Sequence, residues 1–95
     1  MVGMNRAGRM EAALRAALAG TGAVAIEDDS GRHVGHAGAA PGGETHYRIA
    51  MVSEAFSGLS RVQRQRLVHE ILQPEFAAGL HALSLKLLAP EEAAT

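Results

Sequence analysis

Three histidines carry most of the chemistry this sequence offers. His33 and His36 lie three positions apart in a glycine-rich stretch, and His81 stands at the mouth of a later apolar run. A neutral imidazole nitrogen is the commonest protein ligand for a metal ion. Two imidazoles do not close a site, because zinc normally takes four ligands. His33-x-x-His36 is therefore a weak motif by itself, and spacing alone favours a solvated loop with incidental histidines. The chain contains no cysteine, which excludes disulfides and thiolate chemistry of its own. Any metal or cluster held here uses His, Asp or Glu, or thiolates lent by a partner.

The elements that must position these residues follow from periodicity. Met10, Ala13, Leu14, Ala17 and Leu18 share one helical face, with Arg6, Arg9, Glu11 and Arg15 mostly off it and Gly20 as the stop. Residues 1–6 read as a frayed start. Val24 and Ile26 alternate across Ala23–Asp28 as a short strand, and Thr45–Val52 alternates with Tyr47, Ile49 and Met51 on one face. Between them runs a stretch of sixteen residues, Asp29 to Glu44, rich in glycine. Loops beyond roughly 12–15 residues are usually functional or disordered. Thr45 and Glu44 are placed to cap or hydrogen-bond this loop.

Phe56 anchors the connector Ser53–Gly58. Ser60 opens a second helix with Gln63 completing a capping box. Arg64, Leu67, Val68, Ile71 and Leu72 form its stripe, Arg64 at the solvent edge. Pro74 ends that helix, Glu75–Gly79 holds a further turn or two, and Leu80–Leu88 alternates with Leu83, Leu85 and Leu87 inward. Pro90 and the acidic tail close the fold. On strand parity His81 falls with the core-facing leucines, and a partly buried histidine bonded to backbone is the simpler reading. Parallel strands on either side of a crossover start at the same sheet edge, so His81 and the loop histidines can converge there. The order helix, strand, strand, helix, short helix, strand gives one α/β domain, a two-layer sandwich on a three-stranded mixed sheet. Its ordered core covers about residues 7–88 of 1–95, with 29–44 as a flexible loop.

Net charge is −1, with no general attraction to nucleic acid or anionic membranes. A local basic run, Arg61, Arg64 and Arg66, is the candidate phosphate-binding surface, although a solvated helix face is the usual reading. With one Tyr and two Phe there is almost no stacking platform for single strands. No apolar run approaches the roughly 20 residues of a membrane span, and the N-terminus lacks a signal-peptide core, so a cytoplasmic protein is expected. No nucleophile–base pair stands out, Ser30 near His33 included, and no enzyme activity is expected.

Several segments together resemble one family. Asp28-Asp29-Ser30 leads into the histidine loop, and Pro41-Gly42-Gly43-Glu44-Thr45-His46-Tyr47-Arg48 is followed by Val52-Ser53. Phe56-x-Gly58 precedes Arg64-x-Arg66, and Leu80-His81-Ala82-Leu83 comes last. In this order they resemble the BolA family across Met10 to Leu88. The resemblance implies an α-β-β-α-α-β fold like a class II KH domain. It implies a monothiol glutaredoxin as partner and a bridging 2Fe-2S cluster shared with it. The glutaredoxin and glutathione would supply thiolates, and this chain histidines: His81, with His33 the best match in the loop and His36 the alternative. The resemblance also extends to transcriptional regulation through DNA, for which the second helix is the candidate surface. The KH-like fold does not imply RNA binding, because the turn between the second and third helices, Leu72-Gln73-Pro74-Glu75, lacks the G-x-x-G that function needs.

Overall fold

The structure, a computed structural model, describes residues 5–29 and 45–94. Helix α1 covers Arg6–Ala17 and is capped by Asn5, whose side chain accepts a hydrogen bond from the Gly8 N–H at 2.8 Å. It buries Met10 and Leu14 completely. Burial of a side chain of that size contributes about 1.5–3 kcal/mol. Gly20 turns the chain at φ +68, and a Cβ there would strike the Glu54 side chain, so only glycine fits.

Strand β1, Thr21–Asp28, runs antiparallel to β2, His46–Ser53, with Val24 opposite Met51, Ile26 opposite Ile49 and Asp28 opposite Tyr47. A 3-10 turn, Glu54–Phe56, follows with Phe56 fully buried as the anchor. Helix α2, Arg61–Ile71, opens on the expected capping box of Ser60 and Gln63. Helix α3 is one short turn, Gln73–Ala77, with Pro74 in its first turn. Strand β3, Ala82–Leu88, lies parallel to β2, placing His46 beside Ala82, Ile49 beside Leu85 and Val52 beside Leu88. The sheet order is β1-β2-β3. The α-β-β-α-α-β sandwich on a mixed three-stranded sheet is thus the observed fold.

One sheet face is buried, as three strands require. Tyr47, Ile49 and Met51 pack in one cluster with Met10 and Leu14 of α1, with Leu18 just after it, and with Val68 and Leu72 at the end of α2. Arg48, Ala50, Ser84 and Lys86 lie exposed on the other face.

Four details differ from the expectations. Arg6 is neither frayed nor outside the helix face; it begins α1 and is only 9% exposed, because a carboxylate and a carbonyl meet it there. Arg64 is not at the solvent edge: its side chain is 12% exposed. Strand β3 starts two residues later than the alternation suggested, so His81 lies before it and is exposed rather than core-facing. Pro90 does not end the structure but opens a short helix α4, Pro90–Ala93, whose Glu92 carboxylate accepts a hydrogen bond from the Ala89 N–H at 2.7 Å.

Candidate functional site

His81 is presented by a turn whose every step has a partner. Gly79 adopts φ +123, a left-handed conformation that a side chain would strain. The buried Leu80 donates its N–H to the Glu75 carbonyl at 2.9 Å. Glu75 is itself clasped from α1. Its carboxylate accepts from Arg6 Nε at 3.0 Å and from Arg9 Nε and Nη2 at 2.9 and 3.0 Å. Arg6 Nη2 also donates to the Ala78 carbonyl at 3.0 Å. The hydrogen bond from Arg9, then that from Arg6 and the charge of both, hold the Glu75 carboxyl below its ordinary pKa against the opposing effect of burial. The first turn of α1 therefore fixes the turn that carries the histidine.

The other side of the site is the mouth of β2. The carbonyl of the buried Thr45 accepts from the His81 N–H at 2.8 Å and from the Ala82 N–H at 3.2 Å. Thr45 Oγ1 lies 3.0 Å from His46 Nδ1. The His46 ring meets the His81 ring edge-on, with centroids 5.7 Å apart and planes at 82°. Asp29, just past the end of β1, donates its N–H to the His46 carbonyl at 2.7 Å, and its carboxylate lies 3.6 Å from Arg48 Nε. Thr45 thus sits against the segment that bears His81, while Asp29 pairs with His46 and Arg48 of β2. The His81 ring makes no hydrogen bond among the described residues.

His33 and His36 lie outside the described residues; the structure places His81 against Thr45, the residue that follows the stretch containing them. Among the described residues, no three histidines or carboxylates stand close enough to hold a metal ion. The local sequence pattern does not point to His46. The signal for it was the parallel register, which sets the first residue of β2 beside the first of β3.

The basic run is divided. Arg61 and Arg66 are exposed on α2. Arg64 is not available as a phosphate ligand in the same sense: Nε donates to the Leu59 carbonyl at 3.0 Å, and Nη1 to the Leu87 carbonyl at 2.9 Å and to Glu92 at 2.6 Å. It joins α2, β3 and α4. Among the described residues, no helix is long and apolar enough to cross a membrane.

Residues 14–92 match the family model described as BolA-like protein. The chain belongs to the BolA-like family. BolA-like protein 1 of Mus musculus is 42% identical over 93 residues, spanning 95% of this chain and 65% of that protein. SufE-like protein 1, chloroplastic/mitochondrial, of Arabidopsis thaliana is 46% identical over 71 residues, 70% of this chain and 19% of that protein. Among solved structures, the BolA domain of SufE1 from Arabidopsis thaliana superposes with a TM-score of 0.82 at 38% identity, over 96% of this chain and 99% of that one. This chain thus spans just under two thirds of one curated BolA-like relative and a fifth of the other, in which the BolA-like domain is one part of a longer protein.

Proposed function

We propose that this BolA-like chain is an adaptor that docks a monothiol glutaredoxin and co-ligates a bridging 2Fe-2S cluster, in iron–sulfur trafficking or iron regulation. His81 is the fixed ligand, and His33, with His36 as its alternative, is the loop ligand. Glutathione and the glutaredoxin supply the thiolates. The cytoplasmic placement belongs to the same proposal.

One observation carries the reading. The exposed His81, with no hydrogen bond on its ring among the described residues, donates its N–H to the carbonyl of Thr45, the residue that follows the stretch containing His33 and His36. The donor set fits a shared cluster rather than one held alone. The chain has five histidines and no cysteine, so it can complete one iron while a partner ligates the other. Imidazole in place of thiolate on one iron raises the reduction potential of such a cluster. The protein's own part is to keep the ring at a set place on a rigid strand mouth and to give it up to no other partner. Ligation requires the neutral imidazole, so assembly weakens in acid.

A DNA-binding role ranks second. Arg61 and Arg66 remain exposed for phosphate, but the fold engages Arg64. The deciding experiment is reconstitution of the chain with a monothiol glutaredoxin, glutathione, iron and sulfide, followed by visible circular dichroism. A histidine-ligated spectrum that disappears in His81→Ala supports the adaptor. A spectrum unchanged by that substitution sinks it.

A further inference from the structure

We infer that His46 is a positioning residue for His81, holding its imidazole in one orientation. The inference concerns the ring of His81 and rests on the adaptor reading only for its consequence in the loaded complex.

The backbone of His81 is fixed by the Thr45 carbonyl at 2.8 Å, but fixing a backbone does not fix a ring. An exposed histidine without a hydrogen bond on its imidazole samples about three staggered χ1 wells and about two χ2 orientations. Among the described residues, the one ring that meets His81 is that of His46, edge-on at 5.7 Å and 82°. That geometry lies within the range of favourable edge-to-face pairs. His46 can serve as a wall because it is not itself free to turn. It is half-buried at the first position of β2, and Thr45 Oγ1 stands 3.0 Å from its Nδ1. Thr45 is buried and accepts the His81 N–H through its carbonyl, so the backbone of His81 and the ring of His46 both meet this one residue.

A ligand that already occupies the productive rotamer loses less freedom on binding. With about six orientations reduced to one, the gain is at most about sixfold. The contact uses the flat edge and bulk of the ring rather than a nitrogen, so phenylalanine at position 46 should replace histidine and alanine should not. That pattern separates positioning from ligation, since a ligand at position 46 would be lost equally in both variants.

The first measurement uses the isolated chain and no cluster: three-bond couplings across the Cα–Cβ bond of His81 by NMR. The wild type and His46→Phe should show one rotamer, and His46→Ala averaged values. An amide spectrum and thermal unfolding of each variant confirm the fold, and His46→Phe keeps the question answerable if His46→Ala unfolds. The second measurement is loss of cluster to a chelator from the reconstituted glutaredoxin complex. It should be about three- to sixfold faster in His46→Ala and unchanged in His46→Phe. Averaged couplings in the wild type, couplings indifferent to His46→Ala, or a His46→Phe variant that behaves like His46→Ala would each overturn the inference. If the couplings follow the expected pattern but not even the wild type yields a histidine-ligated cluster, the adaptor reading falls and the positioning role stands.

Discussion

Arg6 and Glu75, 69 positions apart in the chain, meet at 3.0 Å with side chains only 11% and 12% exposed. The pair joins the first residue of the first helix to the turn before His81. With the Arg6 bond to the Ala78 carbonyl at 3.0 Å, it ties the start of α1 to the segment that carries His81.

Replacing Arg6 with methionine should therefore destabilise the chain by about 1.5–3 kcal/mol, the range for hydrogen bonds to charged groups. Arg9 still pairs with Glu75 in that variant, so the loss stays below that of leaving a buried carboxylate alone. Urea denaturation measures it, as a lower midpoint at unchanged slope.

Acid should act through the same carboxylate. Glu75 has its pKa lowered in the folded chain, chiefly by the hydrogen bond from Arg9. Its contribution is fully present above the unfolded glutamate value of about 4.3 and is lost as pH falls through the lower folded value. Glu92, held down first by the Ala89 N–H and then by Arg64, works in the same direction from the surface. The urea midpoint should fall more steeply below about pH 4.3 in the wild type than in Glu75→Gln. Equal slopes would show that the clasp contributes nothing to acid sensitivity.

Arg64 should behave as a structural residue. Arg64→Ala removes donors to two carbonyls and a carboxylate and should cost about 2–3 kcal/mol. Arg61→Ala with Arg66→Ala changes exposed positions and should stay within about 0.5 kcal/mol of wild type per site. The latter pair is thus the clean test of DNA. If the chain binds DNA through α2, the double variant should weaken binding and flatten its dependence on salt. Tight, sequence-selective binding that survives both changes at physiological salt would move the DNA reading to first place.

Among the ligands, substitutions should rank by how firmly each imidazole is placed. His81 rests on backbone hydrogen bonds at a strand mouth, whereas His33 and His36 occur in a run with five glycines, whose ordering costs conformational entropy. His81→Ala should abolish the histidine-ligated dichroism of the glutaredoxin complex. His33→Ala should weaken it more than His36→Ala, and the double loop variant should approach His81→Ala. Docking of the two proteins, followed by gel filtration, should survive loss of the loop ligands.

What could be read from the sequence was what local pattern determines. Ser60 and Gln63 lie within one turn, and their capping box formed as expected. Tyr47, Ile49 and Met51 alternate, and all three are buried. Residues paired across the chain could not be read in this way. Arg6 reads as outside the helix face because its partner lies 69 residues on, and Arg64 reads as solvated because Leu87 and Glu92 are distant along the chain. Alternation extended back through Leu80 puts His81 in the inward set, but β3 begins only at Ala82, so strand parity does not govern His81. His46 carries no local signal, because its place in the site comes from its register with β3 and not from its neighbours along the chain.

Strand β3 forms one edge of the sheet, and an edge strand offers its outward carbonyls to any passing polypeptide. In this chain the Leu87 carbonyl is already taken by a guanidinium from α2. The side chain that ties the last helix to the body therefore also guards the open border of the sheet. Concentrated solutions of Arg64→Ala should then self-associate through that border, where wild-type molecules, at the same concentration, have one fewer acceptor to offer each other.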